Sequence, residues 1–199
     1  MTGGGTGRGE GHDLPPGQRP VERWQASHYG KIPQVEGDRW RLTVRGDTVD
    51  GGLTVLDRGM LERMEFVEVS ADLHCVDRHS VTGLRWGGVR LADVVAAAPP
   101  EEGVRHVLLA ASRGYSSAVL LDDLLAPDAL LATHVDGRPL TREHGWPARV
   151  VLPHLYGFKA PKWIAEISYH HTPQQGYWEA RGWHPRGRVA FEERWAHQG

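Results

Sequence analysis

Apolar and polar positions alternate with a period of two along much of the chain, and that pattern predicts strands. Trp40-Arg41-Leu42-Thr43-Val44 alternates and stops at Arg45-Gly46-Asp47, a turn signal. Val67, Val69, Ala71, Leu73 and Cys75 occupy every second position, separated by Glu68, Ser70, Asp72 and His74. This predicts one continuous strand whose buried face includes Cys75. Residues 107–110 and 118–121 are apolar runs flanked by Gly, Ser and Asp, and 149–152 is another, stopped by Pro153. Trp163, Ala165, Ile167 and Tyr169 alternate again. Helical signals are fewer: 56–64, 91–98 ahead of Pro99-Pro100, and single turns at 122–125 and 177–181. The sum is an α+β fold of mixed β-sheets with short helices in the connections.

Residues 1–20 depart from this pattern. They are rich in Gly and Pro, with only Met1 and Leu14 as large apolar side chains, which predicts a disordered tail ahead of one domain over 21–199. The tail has neither an apolar signal core nor an adjacent Arg-Arg pair, so a cytoplasmic location is expected. No apolar run approaches the roughly 20 residues of a membrane-spanning helix, so no membrane insertion is expected. The 23 basic and 25 acidic residues give a formal net charge of −2, which excludes nucleic-acid binding driven by overall charge but leaves room for a local basic pocket. One cysteine excludes an intrachain disulfide and a Cys-only zinc site.

Four segments carry candidate chemistry. Cys75 ends its run and is followed by the polar Asp77-Arg78-His79-Ser80; it reads either as a small buried hydrophobe or as a rigidly held thiolate ligand or nucleophile. His144 and Arg149 precede Gly157-Phe158-Lys159-Ala160-Pro161-Lys162, which holds two of the chain's three lysines. That stretch reads as a solvated basic loop or as an anion clamp of backbone N–H groups and cations. His28-Tyr29-Gly30 lies ahead of the first long strand, either an ordinary turn or a loop over a ligand. Arg113-Gly114-Tyr115 joins two apolar runs as a hairpin tip. None of the twelve histidines stands at the spacing of a zinc site, and no G-x-S-x-G elbow is present.

The joint order of these segments resembles the molybdopterin-binding domain of the sulfite oxidase family, and in particular its short, haem-free bacterial members. The resemblance runs from about Pro15 to Trp195. It is carried by Pro-Pro-Gly-Gln at 15–18, Tyr-Gly-x-x-Pro at 29–33, Leu-His-Cys-Val at 73–76 and Arg-Trp-x-Gly-Val-x-Leu at 85–91. It continues through His-Gly-x-Pro-x-Arg-Val-Val at 144–151, Leu-Tyr-Gly-Phe-Lys-x-x-Lys-Trp at 155–163 and Gly-Tyr-Trp-Glu-x-x-Gly-Trp-His at 176–184. Relatives commonly carry Trp four residues after the cysteine, where this chain has His79.

The resemblance implies a sulfite-oxidase-type fold and a molybdenum–molybdopterin cofactor, with Cys75 as the metal ligand. It implies cofactor contacts from His28, Tyr29, Gly30, His144, Arg149, Lys159, Ala160, Pro161 and Lys162, with Tyr115 and Arg113 on the substrate side. The implied activity is two-electron oxo transfer to or from a small sulfite- or sulfoxide-like substrate, with electrons exchanged through a separate carrier. The alternatives are a metal-free binding module of the same fold and an unrelated enzyme using Cys75 or the histidines.

Overall fold

The computed structural model describes residues 13–198. The predicted tail is therefore described only from Asp13 onward, and residues 1–12 lie outside the described residues. Its last part belongs to the fold rather than to a tail. Arg19–Pro20 (β1) pairs in parallel with His79–Val81 (β6), and the Val21 N–H continues the ladder to the Ser80 carbonyl at 2.9 Å. Backbone pairing, which composition does not report, outweighs the low apolar content here.

The largest sheet contains β2 (Arg41–Gly46), β3 (Thr54–Asp57), β8 (His106–Ala111), β9 (Ser116–Leu120) and β13 (Ile164–His170). Its order is β3-β2-β13-β8-β9, antiparallel throughout except for the parallel pair β2–β13. A second sheet has the order β11-β10-β7-β4, with Arg149–Val151 (β12) also paired to β10; its members are β4 (Phe66–Ser70), β7 (Arg85–Arg90), β10 (Leu130–Val135) and β11 (Arg138–Pro139). The small third sheet joins β1 and β6 to Leu73–His74 (β5).

The main core lies between the two large sheets and the helix α2 (Leu91–Ala97). Leu91, Val94, Val95 and Ala98 recur at helical spacing and are all buried, and Pro99 ends the run as expected. Leu42, Leu56, Leu109, Ile167 and Tyr169 meet them from the large sheet, and Val89, Leu131 and Val150 from the second. The other face of the second sheet is also covered, by a cluster around Trp86, Leu130 and Val151. Burial on both faces explains why Leu130–Ala132 of β10 and Val150–Val151 of β12 are consecutive apolar residues rather than alternating ones. Truncating one such leucine to alanine costs about 2–5 kcal/mol.

Three expectations change. The run from Val67 to Cys75 is not one strand. It leaves the second sheet after Ser70, where the Asp72 carboxylate accepts the Gly83 N–H, and resumes in the third sheet at Leu73. Val67, Val69, Ala71 and Leu73 still pack on one core, so the face is right and the continuity is wrong. Leu56 belongs to β3; the helix predicted at 56–64 is only Arg58–Leu61 (α1), because Asp57 caps it by accepting the Met60 N–H at 2.9 Å. A bulge between Ile164 and Glu166 puts Ile164 in the core and leaves Trp163 outside β13 with φ +53°. Among the described residues, no helix is long and apolar enough to cross a membrane.

Two buried charge networks fasten the C-terminal segment to this frame. Asp123 in α3 (Leu121–Leu125) accepts from Arg186 Nη1 at 2.9 Å, from the Leu120 N–H at 2.8 Å and from His154 at 3.0 Å. Burial pushes its pKa up, but these hydrogen bonds and the Arg186 charge outweigh burial and hold it down at about 2. The Lys159 ammonium pairs with Glu179, both side chains being almost wholly buried, and donates to the Pro185 carbonyl at 2.7 Å. Glu179 also accepts the Ala118 N–H at 3.0 Å.

Because the folded pKa of Asp123 lies below its unfolded value, its contribution is complete at neutral pH and is lost as pH falls from about 4 towards 2. Urea unfolding at neutral and acid pH should show wild type losing about 2 kcal/mol more stability than Asp123→Asn over that range. Lys159→Met should destabilise the fold by about 3–5 kcal/mol by leaving Glu179 charged and unpaired, and the double variant Lys159→Met/Glu179→Gln should recover much of that loss. A double-mutant cycle by chemical denaturation checks this.

Candidate active site

Cys75 sits at the start of the turn from β5 to β6. Its N–H donates to the His79 carbonyl at 2.7 Å, and its carbonyl accepts the Arg78 N–H at 3.1 Å. Arg78 takes φ +75°, the left-handed position usually given to glycine in a three-residue hairpin loop. The thiol is half-buried and lines a cavity of about 550 Å³. Burial first, and then the Asp77 carboxylate, push its pKa up to about 11. At neutral pH the sulfur therefore keeps its proton unless a cation binds it, which suits a metal ligand better than a free nucleophile.

Arg149 and Lys162 reach the same cavity from β12 and from the loop that follows the short 3-10 turn Gly157–Lys159. The Arg149 guanidinium is buried between the rings of Trp86, 5.2 Å away, and Trp24, 5.8 Å away. Its hydrogen bonds go to the Val150 and His144 carbonyls at 3.3 Å, and no carboxylate is among its partners. Burial pushes its pKa down to about 10, so it remains charged at neutral pH. Lys162 donates to the Glu143 carbonyl at 2.9 Å; burial and the Arg149 charge push it down to about 7. Arg23 and Arg113 also line the cavity, against the single carboxylate of Asp77. In a chain of net charge −2 this cavity is locally cationic.

Of the residues singled out in the sequence, Cys75, Tyr115, Arg113, His28, Tyr29, Arg149, Ala160, Pro161 and Lys162 line this cavity. Tyr115 donates its hydroxyl hydrogen to the Phe158 carbonyl, and burial, followed by the charge of Glu179, pushes its pKa up strongly. Three predicted residues do not line it. Lys159 is turned away into its pair with Glu179, which corrects its reading as a cofactor contact: a buried carboxylate 20 residues downstream claims the ammonium. Gly30 accepts from His28 Nδ1 at 2.9 Å at the edge of the N-terminal strap. His144 stands behind the wall with its ring 3.9 Å from that of Trp24; Nδ1 is bonded to Thr141 Oγ1 at 2.7 Å, and Nε2 is buried with no partner.

The sequence reading missed Trp24, Arg23 and Gln25, which come from the non-periodic strap before β2, and Trp183, which closes the far side. The strap has no repeating apolar pattern, so only the isolated Trp24 among polar residues marked it.

Among the described residues, no group of three or more His, Cys, Asp or Glu side chains is placed to hold a metal ion. A metal on Cys75 would thus need most of its ligands from a non-protein group. The cavity is large enough for an organic ligand, and its carboxylate-free cations call for an anionic one. A molybdopterin, with sulfur donors for the metal and a terminal phosphate, fits this donor set.

Comparison with known proteins shows the family to which this fold belongs. The chain is 36% identical over 181 residues to the uncharacterized oxidoreductase YuiH of Bacillus subtilis, covering 87% of each protein. It is 30% identical over 179 residues to human mitochondrial sulfite oxidase, covering 75% of this chain and 32% of that one, so it spans about a third of that longer relative. The sulfane dehydrogenase SoxCD of Paracoccus pantotrophus has the same fold, with a TM-score of 0.67 at 19% identity over 81% of this chain and 46% of that one. An unrelated Cys- or His-dependent enzyme is thereby excluded. Residues 29–178 match the family described as the oxidoreductase molybdopterin binding domain, and the chain belongs to that family of sulfite-oxidase-like oxidoreductases.

Proposed function

We propose that this protein is a molybdenum–molybdopterin-dependent oxidoreductase acting on a small sulfite- or sulfoxide-like substrate, with Cys75 as the protein's ligand to the metal. The observation that carries the reading is the pairing, in one cavity, of the chain's single thiol with Arg149 and Lys162, two cations that have no carboxylate partner among the described residues. When bound, the cofactor would supply a two-electron centre at which an oxygen atom passes to or from a substrate lone pair, the electrons being exchanged with a separate carrier.

The residues divide the work. Arg149 and Lys162 hold the anionic end, and the Trp24 and Trp86 rings keep water from the guanidinium. Ala160 and Pro161 shape the wall beside Lys162, and His28 and Tyr29 cover the ligand from the strap. Burial of the thiol makes loss of its proton depend on the metal. Tyr115 spends its only proton on the Phe158 carbonyl, so towards a substrate it offers an acceptor oxygen and steric definition rather than acid catalysis. Arg113, exposed at the rim, is the cation available to an anionic substrate.

Elemental analysis with oxidative release of the fluorescent pterin tests the reading in a host that makes the cofactor. Near-stoichiometric molybdenum is the expected result; none, beside a loaded control enzyme, would leave a metal-free binding module of the same fold. Cys75→Ser should keep the far-ultraviolet dichroism of wild type. It should lower turnover of sulfite with ferricyanide, or of dimethyl sulfoxide with reduced methyl viologen, by more than about a hundredfold.

The cationic end can be read separately in cofactor-free protein with sulfate, whose charge is constant near neutrality. Lys162 is charged below its pKa of about 7, so calorimetry should show sulfate binding weakening by up to about tenfold between pH 6 and 8. Lys162→Arg should reduce that pH dependence.

A further inference from the structure

The turn that presents Cys75 is held by residues from both ends of the described chain. Gln18 lies on the segment leading into β1; its carboxamide Nε2 donates to the Cys75 carbonyl at 3.2 Å, and its Oε1 accepts from the Ser80 hydroxyl at 2.9 Å. Since Ser80 spends its one proton on Gln18, it accepts from His74 Nδ1 at 2.8 Å, and the histidine must carry hydrogen on that nitrogen. From the other end, the buried Arg194 donates Nη1 to the Val76 carbonyl at 2.7 Å and lies over the Tyr156 ring at 4.8 Å. Arg19 donates its N–H to the Arg78 carbonyl at 3.0 Å. Three successive features of the turn, the Cys75 carbonyl, the Val76 carbonyl and the left-handed Arg78, are thus each fixed from outside it.

Gln18 and Arg194 fall outside residues 29–178, the span matched to the family, but within the wider stretch from Pro15 to Trp195 that resembles it. From these bonds we infer that Gln18, seconded by Arg194, is a positioning residue that sets where the Cys75 sulfur stands in the cavity. The inference rests on the reading of Cys75 as the metal ligand. The physical reason is local. The sulfur hangs one bond beyond Cβ, so its position follows the backbone dihedrals of Cys75. Those are set by the peptide groups on either side, one held by the His79 carbonyl and the other by Gln18. A non-glycine residue in the left-handed region carries a steric cost, which the bonds from outside the turn help to offset. A ligand displaced by about 1 Å no longer meets its metal correctly.

Cys75 is the only cysteine, so alkylation by iodoacetamide reports on it alone. In metal-free protein at one fixed pH, Gln18→Leu and Arg194→Met should each be alkylated about fivefold faster than wild type, through more frequent opening of the turn. Arg194→Lys should return towards the wild-type rate. Gln18→Glu keeps the length and the acceptor for Ser80 but lacks the donor to Cys75; it should behave as Gln18→Leu does, and it decides the matter if Gln18→Leu fails to fold. In metal-loaded protein, Gln18→Glu should retain molybdenum yet show a shifted molybdenum paramagnetic resonance spectrum, which a purely structural role would not move. Wild-type alkylation rates together with superimposable spectra would overturn the inference. Failure of wild type to take up molybdenum would instead defeat the cofactor reading, while the alkylation rates would still decide whether the turn is clamped.

Discussion

Arg149 carries its charge into a wall of tryptophan rings where, among the described residues, no carboxylate meets it. An ion buried that way is costly, and two long hydrogen bonds to carbonyls offset only part of the cost. The neighbouring Lys162 aggravates it, since two like charges share one low-dielectric region. The buried Nε2 of His144, with no partner among the described residues, adds an unsatisfied polar atom nearby. A fold that served only itself would neutralise such a cluster, as this one does at Asp123–Arg186 and Lys159–Glu179. The unpaired charge at one end of the cavity is the feature that most directly supports the proposed anionic ligand.

The opposite end follows a different logic. There the sulfur is neutral when alone, and the turn's carbonyls and the Gln18, Ser80 and His74 side chains are hydrogen-bonded in one network, while Arg194 Nε and Tyr156 Oη beside it have no partner among the described residues. One end thus gathers cations without carboxylates among the described residues, and the other holds the thiol in a hydrogen-bonded turn. An extended ligand with an anionic tail and a metal at its head would be drawn in by the first and registered by the second.

How much of this was legible in the sequence depends on how local each determinant is. The helix at Leu91–Ala97 is written in its own spacing and in the prolines after it, and β8 and β9 in their apolar runs. Cys75, Arg149 and Lys162 are legible as an ordered set, although no single one is diagnostic. Lys159 was not separable from Lys162, because only the buried carboxylate of Glu179, brought in by the fold, tells them apart. The break after Ser70 leaves the alternation intact, so periodicity cannot reveal it, and the bulge beside Ala165 shifts the phase without changing the composition. The strap around Trp24 has no periodicity at all; its place comes from stacking on His144 and Trp86.

The parallel pair β2–β13 joins Thr43 to Glu166 across most of the chain, and it forms the middle of the largest sheet. Closing so long a loop requires that nearly all of the sequence be available. During synthesis, β2 can take only β3 as a neighbour until β13 has left the ribosome, and β8 and β9 form a hairpin with no sheet to join. The cavity walls contributed by Tyr115 and Lys162 meet only after that closure. The pocket therefore exists only once β13 has been made and paired, so any bound group is loaded after that closure rather than guiding it.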